Sequence, residues 1–227
     1  QICLTMHALG KANIKIKDRF YYRMLKMMMK RAEIWTEFDM AWILYGMRKR
    51  RLRPRNPEQK EHKLWARVLR AVAAYFRQKM HFISPKGIVY ILYEFAQHGI
   101  FPGEDLFRAT RRIRRHLSSL SNRALVLLAV LLARFDWPEQ RLLKKYSAEI
   151  RKSYRMARLH PQNLVVILHA YGRLNVRDVE LLKSISQQLL KAPDKLEGKY
   201  ITMVCNSFGR LGVRGPLWQE LSQRIRE

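Results

Sequence analysis

An all-α solenoid of about six helix–turn–helix repeats, each of roughly 37 residues, is the fold class that the sequence predicts. The expectation rests on three features. The segment His169-Ala170-Tyr171-Gly172-Arg173-Leu174-Asn175-Val176-Arg177 returns 37 residues later as Asn206-Ser207-Phe208-Gly209-Arg210-Leu211-Gly212-Val213-Arg214. Upstream of each glycine, Leu164, Ile167, Leu168 and Tyr171 correspond to Ile201, Val204, Cys205 and Phe208, a spacing of i, i+3, i+4, i+7 that marks one face of a helix. No segment alternates as a strand would. A helical hairpin cannot bury both faces alone, so neighbouring hairpins are expected to stack and share a core.

In chain order, the first helix of each repeat shows the same template. It reads Ile2, Thr5, Met6 and Leu9 before Gly10, then Phe38, Ala41, Trp42 and Tyr45 before Gly46. Next come Ile88, Ile91, Leu92 and Phe95 before Ala96, and Leu125, Leu128, Ala129 and Leu132 before Ala133, ahead of the two glycine copies above. A small residue at the marker position lets two helices approach closely or serves a C-terminal cap. Each second helix carries an apolar dyad with later partners: Phe20-Tyr21 with Met24 and Met28, Leu64-Trp65 with Val68 and Val72, and Leu106-Phe107 running on through Ile113 and Leu117. Leu142-Leu143, Leu181-Leu182 and Leu217-Trp218 begin the remaining three. Pro102, Pro138 and Pro216 stand near second-helix starts, as first-turn prolines do, and Asp136, Asp178 and Glu180 are expected to cap there. The repeats fall at approximately 1–30, 31–79, 80–117, 118–154, 155–192 and 193–227 in one solenoid over 1–227, with a basic insertion at 48–62 that lengthens one interval between markers to 50.

Composition assigns the surface. Forty-five Lys+Arg against 18 Asp+Glu give +27, yet 48% of the 227 residues are hydrophobic, so the chain has the material for a core and a charge far beyond what solubility needs. Such an excess destabilises the compact state by self-repulsion unless a polyanion neutralises it, and nucleic acid is the commonest polyanion. The longest apolar run, Ala124 to Ala133, is ten residues and too short to span a membrane. Cys3 and Cys205 lack metal or disulfide spacing and read as reduced core residues. The chain opens at Gln1 inside an amphipathic pattern, as expected of a sequence preceded by a further N-terminal region.

Two concentrations of charge are candidate RNA contacts. Arg48, Lys49, Arg50, Arg51, Arg53 and Arg55 lie in the insertion, with Pro54 and Pro57 breaking the helix and no acid before Glu58. A solvated loop complementing a helix C-terminus is the plainer reading; a phosphate-binding element is favoured. Arg108, Arg111, Arg112 and Arg115, flanked by Arg114, form one helix face, and no Asp or Glu falls between Asp105 and Asp136 to pair with them. Lys11, Arg134, Arg173 and Arg210 follow the marker positions and form either a stripe along stacked repeats or separate helix C-terminal caps, two readings of equal weight. Tyr22, Trp35, Tyr154 and Tyr200 have the chemistry to stack on bases, although packing between repeats is the commoner fate of such rings. The seven histidines lack metal spacing, and no nucleophile, phosphate loop or acid–base constellation can be assembled. No catalytic residue, metal or cofactor is expected.

The repeat length and the endings Ala170-Tyr171-Gly172-Arg173-Leu174 and Phe208-Gly209-Arg210-Leu211 resemble the heptatricopeptide and octotricopeptide helical repeats, found in RAP-domain and FAST-kinase-like proteins. The resemblance covers the repeat region only: Ala96 and Ala133 replace the glycine, Met47 and Gln97 replace the basic residue, and no RAP module is visible. It implies organellar RNA binding. With the charge, it leads to the expectation of a structural component of a mitochondrial ribosome holding rRNA by its phosphates beside neighbouring ribosomal proteins, with a plastid as the other location. A free organellar RNA-processing or stability factor and a protein-binding assembly scaffold are the alternatives.

Overall fold

A computed structural model describes residues 2–12, 18–49, 60–191 and 196–219. The described residues form helices and no strand: α1 (Ile2–Lys11), α2 (Asp18–Met29), α3 (Glu37–Lys49), α4 (Lys60–Lys79), α5 (Pro85–His98), α6 (Glu104–Arg115), α7 (Asn122–Arg134), α8 (Gln140–Ile150), α9 (Ser153–Arg158), α10 (Pro161–Arg173), α11 (Val179–Leu190) and α12 (Gly198–Leu211). Short 3-10 turns occupy Ala32–Ile34 and Leu117–Ser119. The chain divides into two compact units, Gln1–Ala109 and Thr110–Glu227.

In the first unit α1 packs along α3 and α3 along α5, while α2 packs on α4. In the second, α7 packs along α10 and α10 along α12, with α8 beside α11. These runs are the first helices of the expected repeats, and the small marker residues explain how they fit. A Cβ on Gly46 would stand 3.2 Å from the Met6 carbonyl oxygen, and one on Gly172 would stand 3.0 Å from Ser207 Cα. Close approach, of the two roles open to the marker, is therefore the one these glycines serve. The cap lies three residues further on: Gly99, Asp136, Asn175 and Gly212 all take positive φ. The next amide reaches back each time, Ile100 to the Phe95 carbonyl, Trp137 to Leu132, Val176 to Tyr171 and Val213 to Phe208, at 2.9–3.1 Å. Asp136 thus ends α7 and does not cap a second helix as expected.

Opposite signs follow for one substitution at equivalent positions. Gly172→Ala should destabilise by about 1–3 kcal/mol through overpacking against α12. Gly209 has nothing within 4 Å of such a Cβ, so Gly209→Ala should stabilise by about 0.5–1 kcal/mol from helix propensity alone. Urea midpoints of the two variants check this directly.

Helix starts follow local chemistry. Thr36 and Asp39 form a reciprocal box at α3, with Asp39 Oδ2 accepting from Thr36 N at 2.9 Å and Thr36 Oγ1 from Asp39 N at 3.2 Å. Ser84, Ser121, Glu139 and Asp178 accept amides at α5, α7, α8 and α11. First-turn prolines sit at Pro85 and Pro161, on first helices, whereas Pro102 and Pro138 fall just before α6 and α8. Buried tyrosines tie helices together: Tyr21 donates to the Met6 carbonyl and Tyr146 to the Leu125 carbonyl. Phe38 and Phe107, expected in the core, are about half exposed at 43% and 54%. The short α9 was not expected from the periodicity. Both cysteines carry free thiols, Cys3 buried and Cys205 half-buried.

His98 of α5 donates from Nε2 to the Leu44 carbonyl of α3 at 2.8 Å, a carbonyl being able only to accept. Burial holds its pKa below the ordinary 6.5. The unfolded chain therefore binds more protons than the folded one just below that value. The contribution is present above pH 6.5 and is lost as pH falls below it. The denaturation midpoint should drop on acidification through this range, and less so in His98→Gln.

Candidate nucleic-acid interface

α6 separates its two faces cleanly. Leu106, Ala109, Thr110 and Ile113 are buried, and Arg108, Arg111 and Arg115 are exposed. The periodicity that puts apolar positions inside dictates which arginines remain outside. Arg108 and Arg115, seven residues apart, stand about 10 Å apart along the axis. Acidic residues are confined to the first turn, where Asp105 is buried and accepts from Arg77 Nε at 2.8 Å. Among the described residues, none forms an ion pair with Arg108, Arg111 or Arg115. Arg112 and Arg114 are half-buried. Arg114 donates to Glu139 Oε1 at 2.9 Å while the other oxygen of Glu139 caps α8 at Leu142 N.

Arg48 is held differently from the rest of its tract. It forms a two-point pair with Glu94, Nε to Oε2 and Nη2 to Oε1 both at 2.8 Å, and lies over the Tyr45 and Tyr93 rings. Glu94 is buried, so the pair fastens the end of α3 to α5. Lys49 is exposed beside Tyr45. Arg50, Arg51, Arg53 and Arg55 lie outside the described residues.

Of the row after the markers, Lys11, Arg134, Arg173 and Arg210 are all exposed and all occupy the last turn of a first helix. Packing of α10 on α12 brings two of them together. The His169 imidazole has its pKa lowered by burial and then by the positive charges of both Arg173 and Arg210. Its ring is 3.4 Å from Ser207 Oγ, and Arg210 donates to Asn206 at 3.1 Å.

Among the aromatic candidates, Trp35 is buried at 6% exposure, and Tyr75 donates to its carbonyl. It is thereby removed from any base-stacking surface. Tyr22 is half-buried. Tyr154 is half exposed but donates to Glu149. Tyr200 lies 4.7 Å beneath the Lys199 ammonium. The Cys3 thiol is pushed up to about 12 by burial and by the neighbouring Asp39 carboxylate, so it stays protonated at neutral pH. Among the described residues no group of three metal-ligating side chains occurs, and no helix is long and apolar enough to cross a membrane.

Sequence reasoning missed a buried charge cluster. Arg155 of α9 donates to Glu149 Oε1, to the Leu120 and Ser118 carbonyls, each at 2.7 Å, and to Asn122 Oδ1 at 3.1 Å. Glu149 also accepts from Lys152 at 2.6 Å. Burial alone would raise the Glu149 carboxyl, but the bonds from Lys152, Arg155 and Tyr154 outweigh it and hold the pKa below the ordinary value. Two residues six apart on either side of a helix break carry no periodic signal, which is why the cluster is invisible in the sequence.

A family model described as RNA-editing substrate-binding complex 6 protein, RESC6, matches residues 62–227. No curated protein matches the chain. The family match overturns two expectations: the heptatricopeptide and octotricopeptide resemblance, and the ribosomal component holding rRNA among ribosomal proteins. Short degenerate repeat endings and a large positive charge are shared by many RNA-associated helical proteins, and neither distinguishes an editing complex from a ribosome. The mitochondrial location stands, because the editing complex is mitochondrial.

Proposed function

The chain belongs to the RNA-editing substrate-binding complex 6 protein family, whose members are non-catalytic subunits of an RNA-binding mitochondrial editing complex, and from that premise we propose that it is a helical-repeat holder of RNA that engages the phosphate backbone and performs no chemistry. The observation that carries this reading is the exposed face of α6, where Arg108, Arg111 and Arg115 form no ion pair among the described residues, the acids of that helix being confined to its first turn. Backbone contacts position a strand without reading its sequence. The side chains on offer are arginine and lysine, not the varied polar pairs that a one-base-per-repeat code requires. Its partners are RNA and the other subunits of the complex.

Recurrent stacking of first helices within each unit, with α5, α7, α10 and α12 each followed at the same offset by a positive-φ residue, supports a repeat architecture of helix–turn–helix elements. Further phosphate contacts in this reading are Lys11 and Lys49 in the first unit, Arg112, Arg134, Arg173 and Arg210 in the second, and Arg50, Arg51, Arg53 and Arg55 of the insertion, which lie outside the described residues. Arg48 is held by Glu94 in the first unit and Arg114 by Glu139 in the second.

Binding of single-stranded RNA measured against salt tests the proposal. Each phosphate engaged contributes about −0.7 to the slope of log K against log salt, so three contacts from α6, four from the insertion and three from the Arg134, Arg173 and Arg210 row contribute roughly −7. Replacing Arg108, Arg111 and Arg115 together by Gln should shallow that slope by about 2 while leaving helicity unchanged. A flat dependence in the unaltered protein would defeat the electrostatic reading. A separate change of Arg50, Arg51, Arg53 and Arg55 to Ser should shallow the slope by up to about 3; unchanged binding reduces the insertion to a solvated loop.

A further inference from the structure

The second helices of the first unit build a concavity that the surface above does not use. Between α2 and α4 lies a cleft of about 490 Å³ lined by Lys26, Met29, Lys30, Lys63, Leu64 and Arg67. That volume is within the roughly 300–1,000 Å³ of small-ligand clefts. Four of the six lining residues are cations, all four exposed, and none is acidic. They form two pairs at i, i+4, Lys26 with Lys30 and Lys63 with Arg67, so the members of each pair stand about 6 Å apart along their helices. Lys30 follows the last turn of α2 and keeps its register, its amide donating to the Lys26 carbonyl.

A solvated helix face would normally mix signs at this spacing, because an acid four residues from a lysine relieves the repulsion. Here two like-charged pairs converge on one concavity, and no ion pair among the described residues relieves them. Like charges gathered around a recess raise the free energy of the fold unless an anion occupies it. Met29 and Leu64 are half-buried and supply an apolar floor, which a bare inorganic anion does not need. The fit is to a ligand that carries several negative charges and a flat apolar group.

We propose that the α2–α4 cleft is a second RNA-binding site, taking a short stretch of single-stranded RNA with its phosphates on Lys26, Lys30, Lys63 and Arg67 and a base against Met29 and Leu64. It rests on the reading of the chain as an RNA holder. A strand fits better than a compact anion because the cations are spread over two helices, and each phosphodiester supplies a single charge to a single cation.

The test compares three forms of the full chain: the unaltered protein, a cleft variant with Lys26→Gln, Lys30→Gln, Lys63→Gln and Arg67→Gln, and the α6 variant described above. Single-stranded RNA affinity is read against salt, with ATP as a free-nucleotide probe and inorganic triphosphate as a bare-anion probe. The four cleft contacts add about −3 to the slope that the surface contacts give the unaltered protein, and the cleft variant should lose that share additively with the α6 variant, at unchanged helicity. A cleft variant that keeps the full slope while the α6 variant loses its share overturns the inference and leaves the proposed function standing. A flat slope in the unaltered protein overturns the proposed function first. Loss of ATP or triphosphate binding in the cleft variant with RNA binding intact assigns the cleft to a small anion and also overturns the inference. As a readout independent of charge removal, Leu64→Trp places an indole on the floor, and its emission should be quenched by RNA. Unchanged emission at saturating RNA counts against a base there.

Discussion

Replacing Arg155 by Ala should destabilise the second unit by about 3–5 kcal/mol, a large part of the roughly 5–15 kcal/mol that holds a domain folded. The size follows from what the guanidinium holds. Arg155 and Glu149 are 6% and 5% exposed, and one side chain satisfies the Glu149 carboxylate and the Ser118 and Leu120 carbonyls in the connection between α6 and α7. Truncation leaves the carboxylate leaning on Lys152 and Tyr154 and strands two backbone acceptors. Arg155→Lys should recover little, because a single ammonium cannot reproduce the planar fork. Glu149→Gln should cost less than Arg155→Ala, since the arginine keeps its carbonyl partners. Urea unfolding of the three variants and a double-mutant cycle between the two positions give the coupling. The Glu149 pKa lies below its ordinary 4.5, so this contribution is present above pH 4.5 and is lost as the pH falls through the lower folded value. An Arg155→Ala variant as stable as the parent would show that the cluster decorates the fold without holding it.

The buried face of α10 was legible because one face of such a helix must be apolar, and Leu164, Ile167, Leu168 and Tyr171 are all buried where the spacing put them. The glycine markers were legible as a pattern but not as a choice between two roles. Close approach at Gly172 depends on Ser207 of another helix, and nothing local announces that contact. The positive-φ cap three residues later was hidden for a different reason: Asp136 and Asn175 fill it as well as Gly99 and Gly212 do, so no single residue type marks it. Exposed arginines on α6 followed from periodicity, whereas the engagement of Arg48 by Glu94 joins residues 46 apart and is a product of stacking. The family was out of reach for a similar reason. Charge and a degenerate repeat ending describe a class of surface, and membership of a particular complex depends on side-chain detail spread over residues 62–227.

Replacing Arg134, Arg173 and Arg210 together by Gln decides between the two readings of the row. If each arginine contacts a phosphate, each loss removes a charge-assisted contact worth about 1.5 kcal/mol or more, roughly tenfold, so RNA affinity should fall about a thousandfold and the salt slope should shallow by about 2. If each arginine only complements the C-terminus of its own helix, RNA affinity is retained and stability falls by about 0.3–1 kcal/mol per site. The phosphate outcome is the expected one, because Arg134, Arg173 and Arg210 are all exposed and form no ion pair among the described residues. The His169 pKa is held below 6.5 by burial first, and the positive charges of Arg173 and Arg210 act in the same direction. His169 therefore serves as an internal reporter. RNA phosphates seated on the two arginines would relieve the repulsion that adds to burial in lowering its pKa, so its NMR titration should move up on binding single-stranded RNA and also in Arg173→Gln/Arg210→Gln without RNA. The same RNA added to that variant should then move it no further. A titration indifferent to RNA in the unaltered protein, with the thousandfold loss absent, would return Arg134, Arg173 and Arg210 to the role of caps.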